Sequence, residues 1–292
     1  MSNDEIASVP FRQGAASVEG AELVYMEWGQ EGPPLLLLHA TGFSPHLWHP
    51  LARELSKKFR VIAPYFCAHR ECDPYDGGLP WPTLAQDVTS LCRSLDLKRP
   101  FVAGHSMGGT VAVIAAAACG LNPSAIILIE PIFLPQILYT APLSVEHHPL
   151  ASKSINRRNH WESAADAKAY LRGKALFANW DDEMLDLYVS YGMEGAPEGG
   201  ITLACHPKRE AGLFMGGMHL DPWPLLEKVS APVLVVEGGT SGNRAYIDLK
   251  KATSMFPDAQ YLEVPGAGHL VPMEKPSETA RIMTDFFTGA AR

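Results

Sequence analysis

The feature that most constrains this chain is the segment Gly104–Gly109, which reads GHSMGG. It follows the apolar run 100–103 and precedes a run of small and apolar residues at 110–119. This order predicts a strand, a sharp turn and a helix, with a serine hydroxyl projecting at the end of the strand. The glycines leave space for neighbouring backbone that a Cβ atom would fill. Ser106 is therefore the candidate nucleophile.

A second glycine-marked segment near the C-terminus supplies a candidate base. Residues 264–269 read VPGAGH and follow the strand-like stretch 259–264, which places His269 on a loop at a strand end. A serine hydroxyl is hardly ionised at neutral pH, so it needs a neighbouring group that takes and returns its proton. An imidazole, with an ordinary pKa of about 6.5, suits that task. His269 is the candidate general base.

These fragments, in their order along the chain, resemble the α/β-hydrolase superfamily over nearly the whole length. The resemblance implies an α/β fold with a mostly parallel, doubly wound sheet and a helical cap insertion. It also implies an oxyanion hole formed by the backbone N–H groups of Met107 and Thr41. Ala40 stands where the family usually has glycine, and its methyl group is expected to narrow that loop. The other matching positions are Leu35–His39, Gly42, Trp48, Leu51, Glu274 and Pro276.

The acid of the expected catalytic triad is displaced from its usual place. In most relatives it is an aspartate on the loop after the strand that corresponds to Pro232–Val236, and here that loop contains none. Some members, such as haloalkane dehalogenases, take the acid from the end of the preceding strand. At that point Glu130 follows five apolar residues, where a carboxylate is costly to leave unpaired. We therefore predict the order Ser106, Glu130, His269, which is the order expected for this fold.

Two other carboxylates compete for this role. Glu237 lies at the end of a strand, and Asp248 falls within a predicted helix. Glu130 could alternatively pair with an arginine or cap a local turn. If Glu130 is the acid, Ser241→Ala in the loop without aspartate is expected to be nearly silent.

Alternating strand-like and helix-like runs predict a core formed by residues 1–131 and 219–292, with a helical cap at 132–218. The predicted strands are Leu23–Trp28, Leu35–His39, Val61–Pro64, Phe101–Gly104, Ala125–Ile129, Val233–Glu237 and Gln260–Val264. The predicted helices are Trp48–Lys57, Thr83–Leu95, Met107–Cys119, Arg244–Met255 and Ser277–Phe287.

The substrate pocket is predicted from the side chains that adjoin the motif loops, namely Phe43, Trp48, His105, Phe133 and Leu270. Aromatic residues of the cap, among them Trp161, Phe177 and Trp180, favour a mostly apolar substrate portion and are expected to set the acyl-chain preference. The alternative is that these aromatics form only the core of the cap.

Composition excludes several other classes of protein. The net charge of −8 and the lack of a long Lys/Arg block argue against nucleic-acid and anionic-membrane partners. The acidic start Met1–Glu5 and the lack of a long apolar run predict neither a signal peptide nor a membrane span. Five cysteines without a CxxC pair favour a reducing cytoplasm. The histidines show no metal-ligand spacing, so neither a metal nor another cofactor is expected.

The sequence thus predicts a serine hydrolase that cleaves a carboxylic ester, or a related lactone or thioester, of a small molecule through an acyl-enzyme. Serine at position 106 excludes the dehalogenase and epoxide-hydrolase chemistries of this fold, which need aspartate there. The alternatives are a carbon–carbon bond hydrolase of the meta-cleavage type, a cofactor-free haloperoxidase and a non-catalytic small-molecule receptor. Contact of Arg157 or Arg158 with a substrate carboxylate would favour the carbon–carbon hydrolase.

Overall fold

The computed structural model describes residues 10–140 and 143–290, so the segment Met1–Glu5 lies outside the described residues. The strands are β1 Arg12–Val18, β2 Ala21–Trp28, β3 Pro34–Leu38, β4 Arg60–Pro64, β5 Phe101–His105, β6 Ala125–Ile129, β7 Met193–Gly195, β8 Ile201–Leu203, β9 Val233–Gly238 and β10 Ala259–Val264. Eight of them form one sheet in the order β1-β2-β4-β3-β5-β6-β9-β10. From β4 to β10 neighbouring strands are parallel, whereas β2 is antiparallel to both β1 and β4.

Helices connect the parallel strands and form the segment between β6 and β9. They are α1 His49–Leu55, α2 Trp81–Ser94, α3 Met107–Ala118, α4 Ala151–Ile155, α5 Ala164–Arg172, α6 Asp182–Tyr191, α7 Pro207–Gly216, α8 Trp223–Leu226, α9 Leu249–Met255, α10 Val271–Glu274 and α11 Pro276–Ala290. Single 3-10 turns occur at Pro45–Trp48, Pro74–Asp76, Gln136–Tyr139, Ala175–Phe177, Gly217–His219 and Gly242–Ala245. In the described part of the chain, no helix is both long and apolar enough to cross a membrane.

Both faces of the sheet are covered by helices, as the nearly continuous apolar runs of its central strands require. In β3, Leu35 and Leu37 point to one face and Leu36 and Leu38 to the other, as the two-residue period of a strand requires. One face packs against α1 and α11, and the other against α2, α3 and α9. This is the doubly wound architecture predicted from the sequence, with all five predicted helices and seven predicted strands represented.

Several elements differ from the sequence prediction. The two-stranded sheet of β7 and β8 lies in the segment predicted to be a helical cap, and the short helices α8 and α10 were not predicted. Strand β1 was not predicted, since its half-exposed residues lack a continuous apolar run, and its pairing with β2 stabilises it at the sheet edge. The helix predicted from Arg244 begins instead at Leu249. Its start is fixed by Asp248, whose carboxylate accepts a hydrogen bond from the Lys251 N–H at 2.9 Å as an N-cap.

The aromatic side chains between β6 and β9 pack against one another and are continuous with the core on one face of the large sheet. Trp161, Phe177 and Trp180 are 0%, 3% and 3% exposed. The ring centroids of Phe177 lie 4.8 Å from Trp180 and 5.4 Å from Tyr188. This packing agrees with the alternative that these residues stabilise the segment, and it leaves them little surface to offer a substrate.

We accordingly expect Trp161→Ala to lower the free energy of unfolding by about 3–5 kcal/mol, the usual cost of emptying a buried aromatic site. The ratio of kcat/KM between short and long acyl esters should stay within about twofold of the wild-type ratio, since the ring is fully buried. Urea unfolding and ester kinetics on the same preparation measure both quantities. A changed acyl-chain preference without a loss of stability would show that Trp161 contacts the substrate.

Candidate active site

The parallel strands bring the predicted site residues to one edge of the sheet. Loops leave the carboxyl ends of β3, β5, β6, β9 and β10, and in open α/β sheets this edge is where ligands bind. Thr41, Ser106, Glu130 and His269 lie on four of these loops. The fifth loop, after β9, is the one that lacks aspartate.

The segment around Ser106 is a tight turn between β5 and α3. Ser106 has φ 56° and ψ −118°, a strained conformation for a residue with a side chain. Its N–H donates to the Ile129 carbonyl at 2.9 Å, which ties the turn to β6. A Cβ atom at Gly104 would overlap the Gly108 carbonyl, and one at Gly108 would overlap the Leu38 carbonyl. Only glycine at both positions allows this turn to form.

His269 links the nucleophile to the acid. Its Nε2 lies 3.1 Å from Ser106 Oγ, and its Nδ1 lies 2.9 Å from Glu130 Oε2. Two contacts fix the loop that carries the ring: Gly268 N–H donates to the Glu274 carboxylate at 2.7 Å, and His105 Nε2 lies 2.9 Å from the His269 carbonyl oxygen. The imidazole is thus held at both nitrogens and through its backbone.

Glu130 is a buried carboxylate surrounded by donors. Its side chain is 1% exposed, and its φ of 48° is again in the left-handed region. Oε1 accepts the Gly238 N–H at 2.7 Å, and Oε2 accepts the Ser241 hydroxyl at 2.8 Å. Together with His269, these donors compensate for the loss of water around the charge.

The two alternative acids lie elsewhere. Glu237 accepts a hydrogen bond from the Tyr261 hydroxyl and lies 3.7 Å from the Arg244 guanidinium. Burial, together with that hydrogen bond to Glu237, raises the pKa of Tyr261 well above its ordinary value of 10. Asp248 caps α9. The structure therefore brings Glu130 to His269 and neither of its competitors.

Two residues of the loop after β9 contact the site and were missed in the sequence. Ser241 donates to Glu130, so the expectation that Ser241→Ala is nearly silent does not fit this contact. The Asn243 amide nitrogen lies 2.9 Å from His269 Nδ1. The uncharged amide of Asn243 thus lies where an aspartate on this loop would contact His269. The presence of asparagine in this loop was the sequence feature that could have indicated the contact.

Ser241→Ala removes one of three donors from a buried charge. Because a hydrogen bond to a charged group contributes roughly 1.5–3 kcal/mol, we expect kcat to fall about tenfold. Ser254→Ala, which removes an exposed hydroxyl bonded to the Lys251 carbonyl, is the matched control and should keep wild-type kcat. Equal kcat for both variants would show that Glu130 does not need the Ser241 hydroxyl.

The two predicted oxyanion donors lie after neighbouring strands: Thr41 follows β3, and Met107 directly follows Ser106 after β5. Within residues 10–140 and 143–290, the backbone N–H groups of Thr41 and Met107 have no hydrogen-bond partner in the protein. The loop bearing Thr41 is closed by the Phe43 N–H, which donates to the Ala40 carbonyl at 3.2 Å. Both N–H groups are therefore available to a ligand, as an oxyanion hole requires.

The His39 side chain links this loop to the segment that follows β4. Its Nδ1 lies 2.7 Å from the Ala40 carbonyl, and its Nε2 accepts the Phe66 N–H at 3.0 Å. Burial lowers the pKa of His39 from 6.5 to about 4. Burial, and then the neighbouring His269, lower the pKa of His105 to about 3.

These buried neutral histidines make stability depend on pH. Below pH 6.5 the unfolded chain binds protons at His39 and His105 that the folded chain does not, so the free energy of unfolding must fall. The loss begins near pH 6.5 and continues toward pH 4, where it amounts to roughly 3 kcal/mol for His39 alone. Urea unfolding at pH 7.5, 6 and 5 measures it. Equal stability at pH 7.5 and pH 5 would contradict this account.

The five predicted pocket residues are all buried. Phe43 is 8% exposed and packs edge-on against Trp180, whereas Phe133 is fully buried against Trp223. The remaining three are 0–4% exposed: Trp48, His105 and Leu270. Their role in substrate binding stays a prediction.

No group of three or more His, Cys, Asp or Glu side chains in the described ranges could hold a metal ion. The five cysteines are free thiols, and four of them are buried.

The chain is similar to known proteins in sequence and in fold. The chain is 27% identical over 282 residues to the 2-(acetamidomethylene)succinate hydrolase of Mesorhizobium japonicum, covering 97% of each chain. A crystal structure of E-2-(acetamidomethylene)succinate hydrolase superposes with a TM-score of 0.81 at 23% identity, over 96% of this chain and 100% of that one. A thermophilic esterase from Thermogutta terrifontis superposes with a TM-score of 0.72 at 22% identity, over 96% and 99%.

The profile of the alpha/beta hydrolase family matches residues 35–282, from the first central strand to the last helix. That range contains the turn at Ser106, the carboxylate at Glu130 and the loop of His269. The chain therefore belongs to the α/β-hydrolase family.

Proposed function

We propose that this protein is a serine hydrolase that cleaves a carboxylic ester, or a related lactone or thioester, through an acyl-enzyme on Ser106. The observation that carries the proposal is the continuous chain of contacts from Ser106 Oγ to His269 at 3.1 Å and on to Glu130 at 2.9 Å. This is the arrangement of nucleophile, base and orienting acid that acyl transfer needs.

The geometry suggests the role of each group. His269 Nε2 accepts the Ser106 proton as Oγ attacks the substrate carbonyl, and it then protonates the leaving group. Glu130 keeps the hydrogen of His269 on Nδ1 and stabilises the imidazolium that forms. The N–H groups of Thr41 and Met107 bind the oxyanion. Water then repeats the cycle, releases the acid and regenerates Ser106.

The side chains next to these groups favour a substrate with an apolar portion. Phe43 lies two residues after Thr41, and Leu270 directly follows His269. Arg157 is paired with Glu210, and Arg158 with Asp166. Neither arginine is presented to a substrate carboxylate without first leaving its partner, so this structure gives the carbon–carbon hydrolase no additional support.

One specific observation favours a second candidate. The similarity to the Mesorhizobium japonicum hydrolase extends over 97% of both chains, so it includes the segment between β6 and β9 as well as the sheet. The second candidate is therefore hydrolysis of a compound like 2-(acetamidomethylene)succinate, which combines an acetamido group with two carboxylates. The same nucleophile, base and oxyanion donors would serve an amide carbonyl.

A substrate panel separates these possibilities. We expect p-nitrophenyl esters of short and medium acyl chains to be hydrolysed with a burst of p-nitrophenol, the kinetic sign of an acyl-enzyme. The panel also contains lactones, 2-(acetamidomethylene)succinate and a ring-cleavage dienoate, each compared by kcat/KM. A value for 2-(acetamidomethylene)succinate more than about 100-fold above the best ester, equivalent to some 2.7 kcal/mol of transition-state binding, would establish the second candidate.

The same panel can contradict the proposal. Preferred cleavage of the dienoate would identify a carbon–carbon hydrolase. If no compound is turned over but one raises the melting temperature, a receptor function would replace the enzymatic one. Ser106→Ala, tested on every substrate that is turned over, shows whether the turnover belongs to this site.

A further inference from the structure

A buried carboxylate from the segment between β6 and β9 packs directly against the oxyanion loop, which we define as residues 40–43. Glu210, on α7, is 8% exposed. A Cβ atom at Gly42 would lie 2.8 Å from Glu210 Cδ and would overlap its Oε1. Gly42 also has a φ of 75°, which a residue with a side chain rarely adopts. The Glu210 carboxylate therefore fills the space that a side chain at position 42 would occupy.

Glu210 is itself held by two neighbours on α4 and the residues that follow it. The Ser154 hydroxyl donates to Oε2, and Arg157 Nη1 lies 3.1 Å and 2.9 Å from the two carboxylate oxygens. Such a paired charge has few orientations open to it. The carboxylate is thus a fixed support beside Gly42.

The same cluster touches the oxyanion loop a second time. The Arg157 guanidinium interacts electrostatically with the Tyr188 hydroxyl, and the Tyr188 ring packs edge-on against Phe43 with centroids 5.8 Å apart. Gly42 and Phe43 are consecutive residues that follow Thr41. The cluster of Ser154, Arg157, Tyr188 and Glu210 therefore contacts the loop at two adjacent positions, both next to the expected oxyanion donor.

Helix α7 gives this cluster a rigid base. The Trp81 indole N–H donates to the Leu213 carbonyl at 2.8 Å, and Arg209 Nη1 donates to the Arg70 carbonyl at 2.6 Å. The Leu79 N–H donates to the Gly212 carbonyl at 3.2 Å. Because α7 is bonded to loops that leave the large sheet, a shift of this helix away from Gly42 would break these contacts.

We propose that Glu210 is a positioning residue that fixes the oxyanion loop and, through it, the Thr41 N–H. The inference rests on the proposed function. An oxyanion donor must lie about 2.7–3.1 Å from the developing charge, and a displacement of about 1 Å can cost as much as 100-fold in rate. The shape of the Glu210 side chain, and not its charge, fixes the loop, because a planar group the size of a carboxylate fills the space against Gly42.

The test compares two substitutions that differ in shape but both remove the charge. Glu210→Gln keeps a planar group against Gly42, whereas Glu210→Ala leaves an empty space. We expect kcat and the rate of fluorophosphonate labelling of Ser106 to fall about 10- to 100-fold in Glu210→Ala and to stay within about threefold of wild type in Glu210→Gln. KM should change little, because the loop acts on the transition state. Both variants should lose stability, since both leave Arg157 without its anionic partner.

Glu183→Ala is the matched control. Glu183 on α6 pairs with Arg53 on α1 at 2.9 Å between Oε2 and Nη2, so it also joins this segment to the sheet domain through a half-buried ion pair. Among the described residues, neither a hydrogen bond nor an ion pair links Arg53 or Glu183 to residues 40–43. The control should lose stability and keep wild-type kcat and labelling rate.

Three results would overturn the inference: wild-type labelling of Glu210→Ala, an equal loss in Glu210→Gln, or an equal loss in Glu183→Ala. Should Glu210→Ala not fold, Gly42→Ala disturbs the same contact from the loop side, and wild-type labelling of that variant would also overturn it. Failure of the proposed function gives a different result, because wild-type protein would then not be labelled at Ser106 at all.

Discussion

Ser106→Ala should lower kcat for every substrate of this protein by about 10⁵-fold or more while the folded structure is retained. Removal of the nucleophile from a serine triad costs on the order of 10⁶-fold, because the remaining members cannot form the acyl-enzyme. Ser106 is an almost buried residue at a turn, and loss of its hydroxyl removes only the contact to His269 at 3.1 Å. Initial rates should therefore fall to near background, while the thermal unfolding midpoint stays close to the wild-type value.

Ser124→Ala is the matched control for this prediction. Ser124 precedes β6 at the opposite end from Glu130, and its hydroxyl donates to the Arg99 carbonyl at 2.7 Å. The control should keep full activity and full labelling by a fluorophosphonate probe. Labelling that persists in Ser106→Ala would place the reactive serine elsewhere.

Glu130→Gln should lower kcat by about 10³- to 10⁴-fold, with a smaller change in KM. Glutamine has the same size but carries no charge, so it cannot stabilise the imidazolium of His269. Its amide group would also bring a donor toward the Gly238 N–H and the Ser241 hydroxyl, which both donate to the present carboxylate. Steady-state kinetics from pH 6 to 9 measure the loss.

Glu237→Gln is the control for a buried carboxylate one strand away. Glu237 is 4% exposed and bonded to Tyr261, but it does not contact His269. Its substitution should affect stability and leave kcat within about twofold. A larger loss of kcat in Glu237→Gln than in Glu130→Gln would reverse the assignment of the acid.

A double variant tests whether position matters more than residue identity. The Asn243 amide already lies 2.9 Å from His269 Nδ1, so Asn243→Asp places a carboxylate beside the same nitrogen. In the Glu130→Gln background we expect it to restore kcat at least tenfold, about 1.4 kcal/mol of transition-state stabilisation. No recovery, with the double variant folded, would mean that only the β6 position can orient the imidazole.

The sequence was most informative where function depends on local backbone conformation. The turn around Ser106 and the loop of His269 carry glycines next to apolar strands, and both were predicted from those patterns. Glu130 could be predicted because a carboxylate directly after an apolar strand needs a partner. These signals lie within a few residues of the group that they identify.

Contacts between distant segments could not be predicted in the same way. Ser241 reaches Glu130 only because the loop after β9 folds back over the end of β6, and Glu210 reaches Gly42 only through the packing of α7. Nothing in the local sequence around either residue specifies its partner. The buried aromatics of the segment between β6 and β9 illustrate the same limit. Helical spacing of aromatic residues is expected both for residues that line a substrate pocket and for residues of a packed core.

In the proposed function, hydrolysis passes through an acyl group on Ser106. Intact-protein mass spectrometry during turnover of a slowly deacylated ester would detect this acyl-enzyme. Rapid mixing with a p-nitrophenyl ester should give a burst of about one p-nitrophenol per active site. Within the same time, the protein mass should rise by one acyl group, located by peptide mapping on the peptide that contains Ser106. Steady turnover of a slowly deacylated ester without this mass increase, or with the acyl group on another residue, would exclude an acyl-enzyme on Ser106.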